Sequence, residues 1–176
     1  RFTNKVVIVT GAASGIGKAS ALRIAAEGGI VACLDVQEQA LHDAVKEINA
    51  NSATTGSASA YLCDIGNPQA ITDAVAAVIK DHKKLNALCN IAGILKLQNT
   101  LEVNLEDWNQ IIAVNLTGTF LMCQTALPHL IGTKGSIVNM ASTAALGSHP
   151  WTAAYAASKG GILSMTKTFS IEFAKQ

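Results

Sequence analysis

The sequence predicts a doubly wound α/β domain built on a parallel sheet. Two observations carry that expectation. Short β-branched runs alternate along the chain with stretches of helical periodicity, and strict alternation implies parallel pairing through right-handed crossovers. The strand runs are also near-continuously apolar, as in a sheet covered on both faces.

The elements follow in order. Lys5–Thr10 contains Val-Val-Ile-Val, too short for a buried helix and rich in β-branched residues. A helix starts at about Gly15, with Ile16, Ala19, Leu22 and Ala26 on one stripe. Ile30–Asp35 is the second strand, and Leu41, Val45 and Ile48 mark the second helix. Ala58–Cys63 reads as the third strand, after a small polar loop over Asn51–Ser59. Asn67-Pro68 is a cap followed by a proline at the first helical position. Ile71, Ala74, Val75 and Val78 then line one face of the third helix. Leu85–Asn90 is the fourth strand. A long helical stretch covers about Leu105–Leu130, with Pro128 expected to end or kink it. Ser136–Ala141 is the fifth strand, and the last helix covers about Thr152–Ala174. The pattern is that of a Rossmann-type fold, with helices on both faces of the sheet.

The 176 residues suit one domain, residues 1–176, without repeats, low-complexity tracts or linkers. The chain starts without a methionine and stops inside its last helical pattern. It therefore reads as part of a longer protein whose C-terminal strands are missing from this chain. Charged residues make up 14%, against a usual share of about 25%. So little charge implies much buried surface, including a subunit interface. A net charge of +1 with no basic block argues against nucleic acid or an anionic membrane as partners. No run of 18 apolar residues occurs, so no membrane-spanning helix is expected. The N-terminus enters a strand pattern at once and leaves no room for a signal peptide, which points to the cytoplasm.

Cys33, Cys63, Cys89 and Cys123 are spaced like no metal or redox motif and read as buried, reduced thiols. His42, His82, His129 and His149 are scattered, and no metal site is expected.

Thr10-Gly11-Ala12-Ala13-Ser14-Gly15-Ile16-Gly17 lies between the first strand and first helix. Glycines there permit a tight turn and close backbone approach. The helix N-terminus offers free N–H groups and partial positive charge to a pyrophosphate. Gly11, Ser14, Gly15, Ile16 and Gly17 are therefore the candidate dinucleotide cradle, although their spacing differs from Gly-x-Gly-x-x-Gly. Asp35 ends the second strand, where a carboxylate accepts hydrogen bonds from ribose hydroxyls and repels a 2′-phosphate. Neither Ser14 nor Val36 supplies an arginine for that phosphate, so NAD is favoured over NADP. Lys18 is the one nearby cation that works against this preference. Asp64, after the third strand, is either an adenine contact or a loop carboxylate.

Tyr155 and Lys159 stand four residues apart in an Ala-rich helical run and share a helix face. An ammonium beside a phenol favours the phenolate and should lower the tyrosine pKa from about 10. A tyrosine so tuned serves as acid and base near neutrality. Alone, such a pair is ordinary helix surface.

The combination is more specific, and the sequence resembles the short-chain dehydrogenase/reductase family over essentially its whole length. The glycine segment matches that family's Thr-Gly-x-x-x-Gly-x-Gly motif. Asn90-Ile91-Ala92-Gly93 is similar to its Asn-Asn-Ala-Gly, with Ile91 in place of the second asparagine. Asn115-Leu116-Thr117-Gly118 is similar to its helical asparagine segment, and Ser142 precedes Tyr155 by the family's 13 residues.

The resemblance implies an oxidoreductase that interconverts a secondary alcohol and a ketone, with NAD bound across the carboxyl ends of the strands. Tyr155 would be the acid/base. Lys159 would tune it and hold the nicotinamide ribose, and Ser142 would bond the substrate oxygen. Asn115 would anchor a water linking Lys159 to solvent, and Asn90, Ala92 and Gly93 would shape the cofactor floor. Bland readings stand beside these: Ser142 as a turn cap, Asn115 as a helix bend, or the whole as a non-catalytic NAD-binding scaffold or sensor. Trp151 and His149, between Ser142 and Tyr155, border the expected substrate pocket; Trp108 reads as packing. The resemblance also implies a homodimer or homotetramer through the long helix and the terminal helix. Ala153, Ala154, Ala156, Ala157, Gly160 and Gly161 allow close approach there. The family's sixth strand, substrate-covering segment and seventh strand find no counterpart in these residues.

Overall fold

A computed structural model describes residues 1–51 and 53–176. Among them, five strands form one parallel sheet in the order β3-β2-β1-β4-β5. The strands are β1 (Val6–Thr10), β2 (Ile30–Asp35), β3 (Ser57–Leu62), β4 (Ala87–Asn90) and β5 (Ser136–Asn139). Between them run α1 (Gly15–Ala26), α2 (Glu38–Ala50), α3 (Pro68–His82), α4 (Leu105–Ile112) and α5 (Thr119–Ile131); α6 (Ala153–Glu172) follows β5. The strand order reverses between β1 and β4, and that switch point opens a crevice beyond the carboxyl ends of the strands.

β1 is the centre of the sheet, and all five of its residues are buried. Its alternating side chains feed two cores. Val6 and Ile8 join Leu34, Val75, Leu88 and Met122 on one side. Val7 and Val9 join Val31, Ala21, Leu41 and Ile48 on the other. Burying each such aliphatic side chain contributes about 1.5–3 kcal/mol, so the two cores explain why the central strand β1 is apolar on both faces.

The helix starts follow local chemistry. Asn67 Oδ1 accepts from the N–H groups of Gln69 (2.9 Å) and Ala70 (3.3 Å), with Pro68 at the first helical position. Asn104 Oδ1 accepts from Asp107 N–H at 2.8 Å and starts α4. At α1, by contrast, the Ser14 side chain makes no capping bond.

Several boundaries differ from the sequence expectation. β3 starts and ends one residue early. β4 starts at Ala87 rather than Leu85, because the Asn86 side chain takes the Val6 N–H (2.9 Å) just ahead of the ladder. β5 stops at Asn139, opposite Asn90, where β4 also ends. The long helix is divided by a π-helical turn over Ala113–Gly118, which carries Asn115. Pro128 does not end α5; the helix runs on to Ile131, with the proline on its exposed side.

By length and composition, Leu105–Ile131 is long and apolar enough to cross a membrane. Here it buries Ile111, Asn115, Met122, Cys123 and Ala126 inside the domain. α6 packs against α4 and the π-turn. Gly161 makes that approach possible, since a Cβ there would stand 2.8 Å from Leu116 Cδ2. At least this small residue of α6 thus serves packing inside the chain.

Candidate active site

The crevice is an open cleft of about 590 Å³ along the carboxyl edge of the sheet. Each strand contributes its exit. Gly11, Ser14, Gly15, Ile16 and Gly17 follow β1, Asp35 closes β2, and Asp64 follows β3. Ala92, Gly93, Ile94 and Leu95 follow β4, and Met140 follows β5. Tyr155 and Lys159 enter from α6.

The glycine turn is sterically specified. Gly11 has φ +69°, a left-handed conformation that favours glycine. Gly17 is required by space: a Cβ there would run into the Gly11 carbonyl. The N-terminus of α1 is thereby drawn against the turn, with its first N–H groups lacking intrahelical partners and no side-chain cap in their way. Asp35 braces the same turn. Its Oδ2 accepts from Ala13 N–H (3.0 Å) and its Oδ1 from Gln37 N–H (3.0 Å). Lys18, the cation of concern for phosphate selectivity, is paired with Glu47 at 2.6 Å. Asp64 lines the cleft while its Oδ1 accepts from Gly66 N–H at 2.8 Å.

The floor is stitched by Thr10. Its Oγ1 accepts from the N–H groups of Ile91 (3.0 Å) and Ala92 (3.1 Å), joining the exits of β1 and β4. This role went unread in the sequence, where Thr10 is only a motif's first letter. Ile91, the departure from Asn-Asn-Ala-Gly, packs against the α1/α2 core. Asn90 lies beneath the floor, 4% exposed, and donates through Nδ2 to Asn139 Oδ1 at 2.9 Å.

The α6 residues form a compact polar group. Lys159 is 3% exposed, and its Nζ donates to the Met140 carbonyl at 2.7 Å. The same nitrogen lies 5.7 Å from the Tyr155 ring centroid. Burial holds the Lys159 ammonium below the usual lysine range. Asn115 is fully buried behind them. Its Nδ2 donates to Ser158 Oγ (3.1 Å), and Ser158 in turn donates to the Tyr155 carbonyl (2.7 Å). Gly93 leaves room for this arrangement, because a Cβ there would lie 3.2 Å from Asn115 Oδ1 and 3.5 Å from Lys159 Nζ.

Ser142 stands apart. It is half-buried, does not line the cleft, and accepts through Oγ from Ala144 N–H at 3.2 Å at the start of a short 3₁₀ turn. The turn-cap reading of Ser142 is therefore part of its geometry. The His149 ring is exposed, and its carbonyl accepts from Thr152 Oγ1 at 2.8 Å. The four cysteines are free thiols, three of them buried. Among the described residues no group of three His, Cys, Asp or Glu side chains gathers as a metal site would require.

The family model described as short chain dehydrogenase matches residues 5–176. The chain belongs to the short-chain dehydrogenase family. It is 37% identical over 175 residues to a 3-oxoacyl-[acyl-carrier-protein] reductase of Thermotoga maritima, covering 99% of this chain and 70% of that protein. It is 37% identical over 172 residues to meso-2,3-butanediol dehydrogenase of Serratia marcescens, covering 98% and 66% respectively. The solved structure of NAD⁺-bound xylitol dehydrogenase superimposes with a TM-score of 0.93 at 33% identity, covering 99% of this chain and 66% of that one. The chain thus spans about two thirds of the length of these short-chain dehydrogenase relatives, whose names describe dehydrogenases and reductases of alcohols and ketones.

Proposed function

We propose that the protein is an NAD(H)-dependent oxidoreductase that interconverts a secondary alcohol and a ketone, with Tyr155 as the acid/base. The observation that carries this reading is the placement of Tyr155 beside a buried Lys159 in the cleft that the glycine turn opens. The residues fit a dinucleotide. The turn that Gly17 holds against Gly11, the uncapped start of α1 and the Asp35 carboxylate form the cradle that a pyrophosphate and an adenosine ribose require. When bound, the nicotinamide supplies or accepts the hydride.

The chain's own groups handle the proton. Tyr155 gives its hydroxyl proton to the carbonyl oxygen during reduction and takes it back during oxidation. The Lys159 ammonium, held by the Met140 carbonyl beside Tyr155, would hold the nicotinamide ribose. The family resemblance gives Ser142 the substrate oxygen as its partner, although its hydroxyl caps a turn outside the cleft lining. Asn115 and Ser158 hold the helix turn that bears Tyr155. What supports NAD over NADP is the Asp35 carboxylate in the cleft lining, which would oppose a 2′-phosphate, and the pairing of Lys18 with Glu47. The exposed Leu101, Leu105 and Phe120 on or beside the long helix, and Ile171 on α6, support a homo-oligomeric assembly through those two helices.

The test uses the full-length protein with NADH and a panel of ketones, following absorbance. Turnover is expected in the wild type and a loss of about 10²–10⁴-fold in Tyr155→Phe. Undiminished turnover in that variant would overturn the mechanism.

A further inference from the structure

We propose that Thr166 is a positioning residue for the proton-handling group of the cleft. Through Asn139 it sets how α6 seats against β5, and so keeps Lys159 at the Met140 carbonyl. The inference rests on the oxidoreductase reading above and adds to it a residue outside the cleft lining.

Thr166 follows Lys159 on α6 by about two helical turns, so the two side chains share a helix face. Both reach the end of β5. Lys159 Nζ donates to the Met140 carbonyl at 2.7 Å, and the adjoining Asn139 donates through Nδ2 to Thr166 Oγ1 at 3.0 Å. Helix and strand are thus pinned at two points. One donor comes from the helix and the other from the strand.

The second pin has a single orientation. Asn139 Oδ1 already accepts from Asn90 Nδ2 at 2.9 Å and from the Cys123 thiol at 3.5 Å, which leaves the amide nitrogen for Thr166. Thr166 Oγ1 must then accept, and its own proton goes to the Ile162 carbonyl at 2.7 Å. Thr168 is a natural contrast. It makes the same kind of back-bond, to the Ser164 carbonyl at 3.3 Å, but is exposed and has no such partner on β5 among the described residues. The strand side is equally fixed. Asn90 is 4% exposed and holds Asn139 by its side chain, while its carbonyl accepts from the Met140 N–H at 2.9 Å. Asn139 and Met140 therefore form one rigid end. Without Thr166, the flexible four-carbon stem of Lys159 is left to hold the upper part of α6 to that end.

The experiment uses the full-length protein. Thr166→Val keeps the shape of the side chain and removes its hydroxyl. Its kcat is expected to fall about tenfold, with the ketone KM and NADH Kd within about twofold. In alcohol oxidation, the acid limb of its kcat profile should move to higher pH, because an ammonium drawn back from the phenol favours the phenolate less. Thr166→Ser should restore both readouts, and Thr168→Val should disturb neither. In a Lys159→Met background, Thr166→Val should lower kcat no further. A lowered melting temperature with an unmoved pH profile, or additive losses in the double variant, would overturn the proposal. If Thr166→Val does not fold, Thr166→Ala carries the same comparisons. A readout independent of turnover is the rate at which acetic anhydride labels Lys159, followed by peptide mass. Labelling should be faster in Thr166→Val than in wild type or Thr168→Val, and an unchanged rate would refute the tether. A wild type that turns over no ketone would remove the oxidoreductase reading, and labelling would still decide whether Thr166 seats Lys159.

Discussion

Asn115 grips Ile94 by both halves of its backbone: Oδ1 accepts from the Ile94 N–H at 2.8 Å, and Nδ2 donates to the Ile94 carbonyl at 2.9 Å. One amide, on the π-helical turn, thereby sets where the chain leaving β4 passes α6. Asn115→Ala should leave these groups unpaired at about 1–3 kcal/mol each. Thermal unfolding should show the loss, together with a drop in kcat. An unchanged melting temperature would show that the Ile94 contact is not maintained in solution.

Lys159→Met separates stability from catalysis. Burial lowers the Lys159 pKa from the ordinary 10.5. Between the folded and unfolded values the unfolded chain binds more protons, so this group makes stability rise with pH through that alkaline window. Below the window its burial costs free energy. The variant should therefore melt no lower than wild type at pH 7 and lack its share of the alkaline gain, while activity falls by about 10²-fold or more. Calorimetry at pH 7 and pH 10 on both proteins checks the sign.

Gly17→Ala probes the cradle. Its methyl group would collide with the Gly11 carbonyl, which is backbone and cannot step aside cheaply. NADH titration by fluorescence should show affinity reduced about tenfold or more, a loss of at least ~1.4 kcal/mol.

Asp35→Ser should raise the NADP:NAD ratio of kcat/KM by removing a charge that opposes the 2′-phosphate. The exchange cannot be clean, because Asp35 also accepts from Ala13 and Gln37. A lowered melting temperature should accompany the altered ratio. An unaltered ratio would remove Asp35 from cofactor selection.

The cysteines provide a control on folding. Burial pushes the Cys33 thiol up to about 12 and those of Cys63 and Cys123 up to about 11. These three should resist a disulfide reagent at pH 8 and react only once the chain is denatured. Rapid modification of any of them in the native protein would contradict the packing of both cores.

What the residues reveal before folding is local. Val6–Val9 announce a buried strand because all four are apolar and β-branched. Asn67-Pro68 announces a helix start because capping acts over three residues. Tyr155 and Lys159 can be paired on paper because four residues make one helical turn. The interruption at Ala113–Gly118 was not legible, since a single π-turn of 6 residues is too short to show a period of its own. Its presence depends on what Asn115 binds across the fold.

By itself, then, the sequence determined the doubly wound class, the glycine turn and the identities of Tyr155, Lys159 and Asp35, because each depends on periodicity or short spacing. Tertiary structure alone decided how they work together. It brought Thr10 to Ile91 and Ala92 across the sheet, placed Met140 against Lys159, turned Ser142 into a turn cap, and gathered Lys96, Gln98 and Asn104 on Asp107. The Thr10 and Lys159 contacts join residues distant in the chain, and the rest depend on the path of irregular loops. Both are specified only when two apolar cores close on the sheet and its strand exits are forced to share one edge.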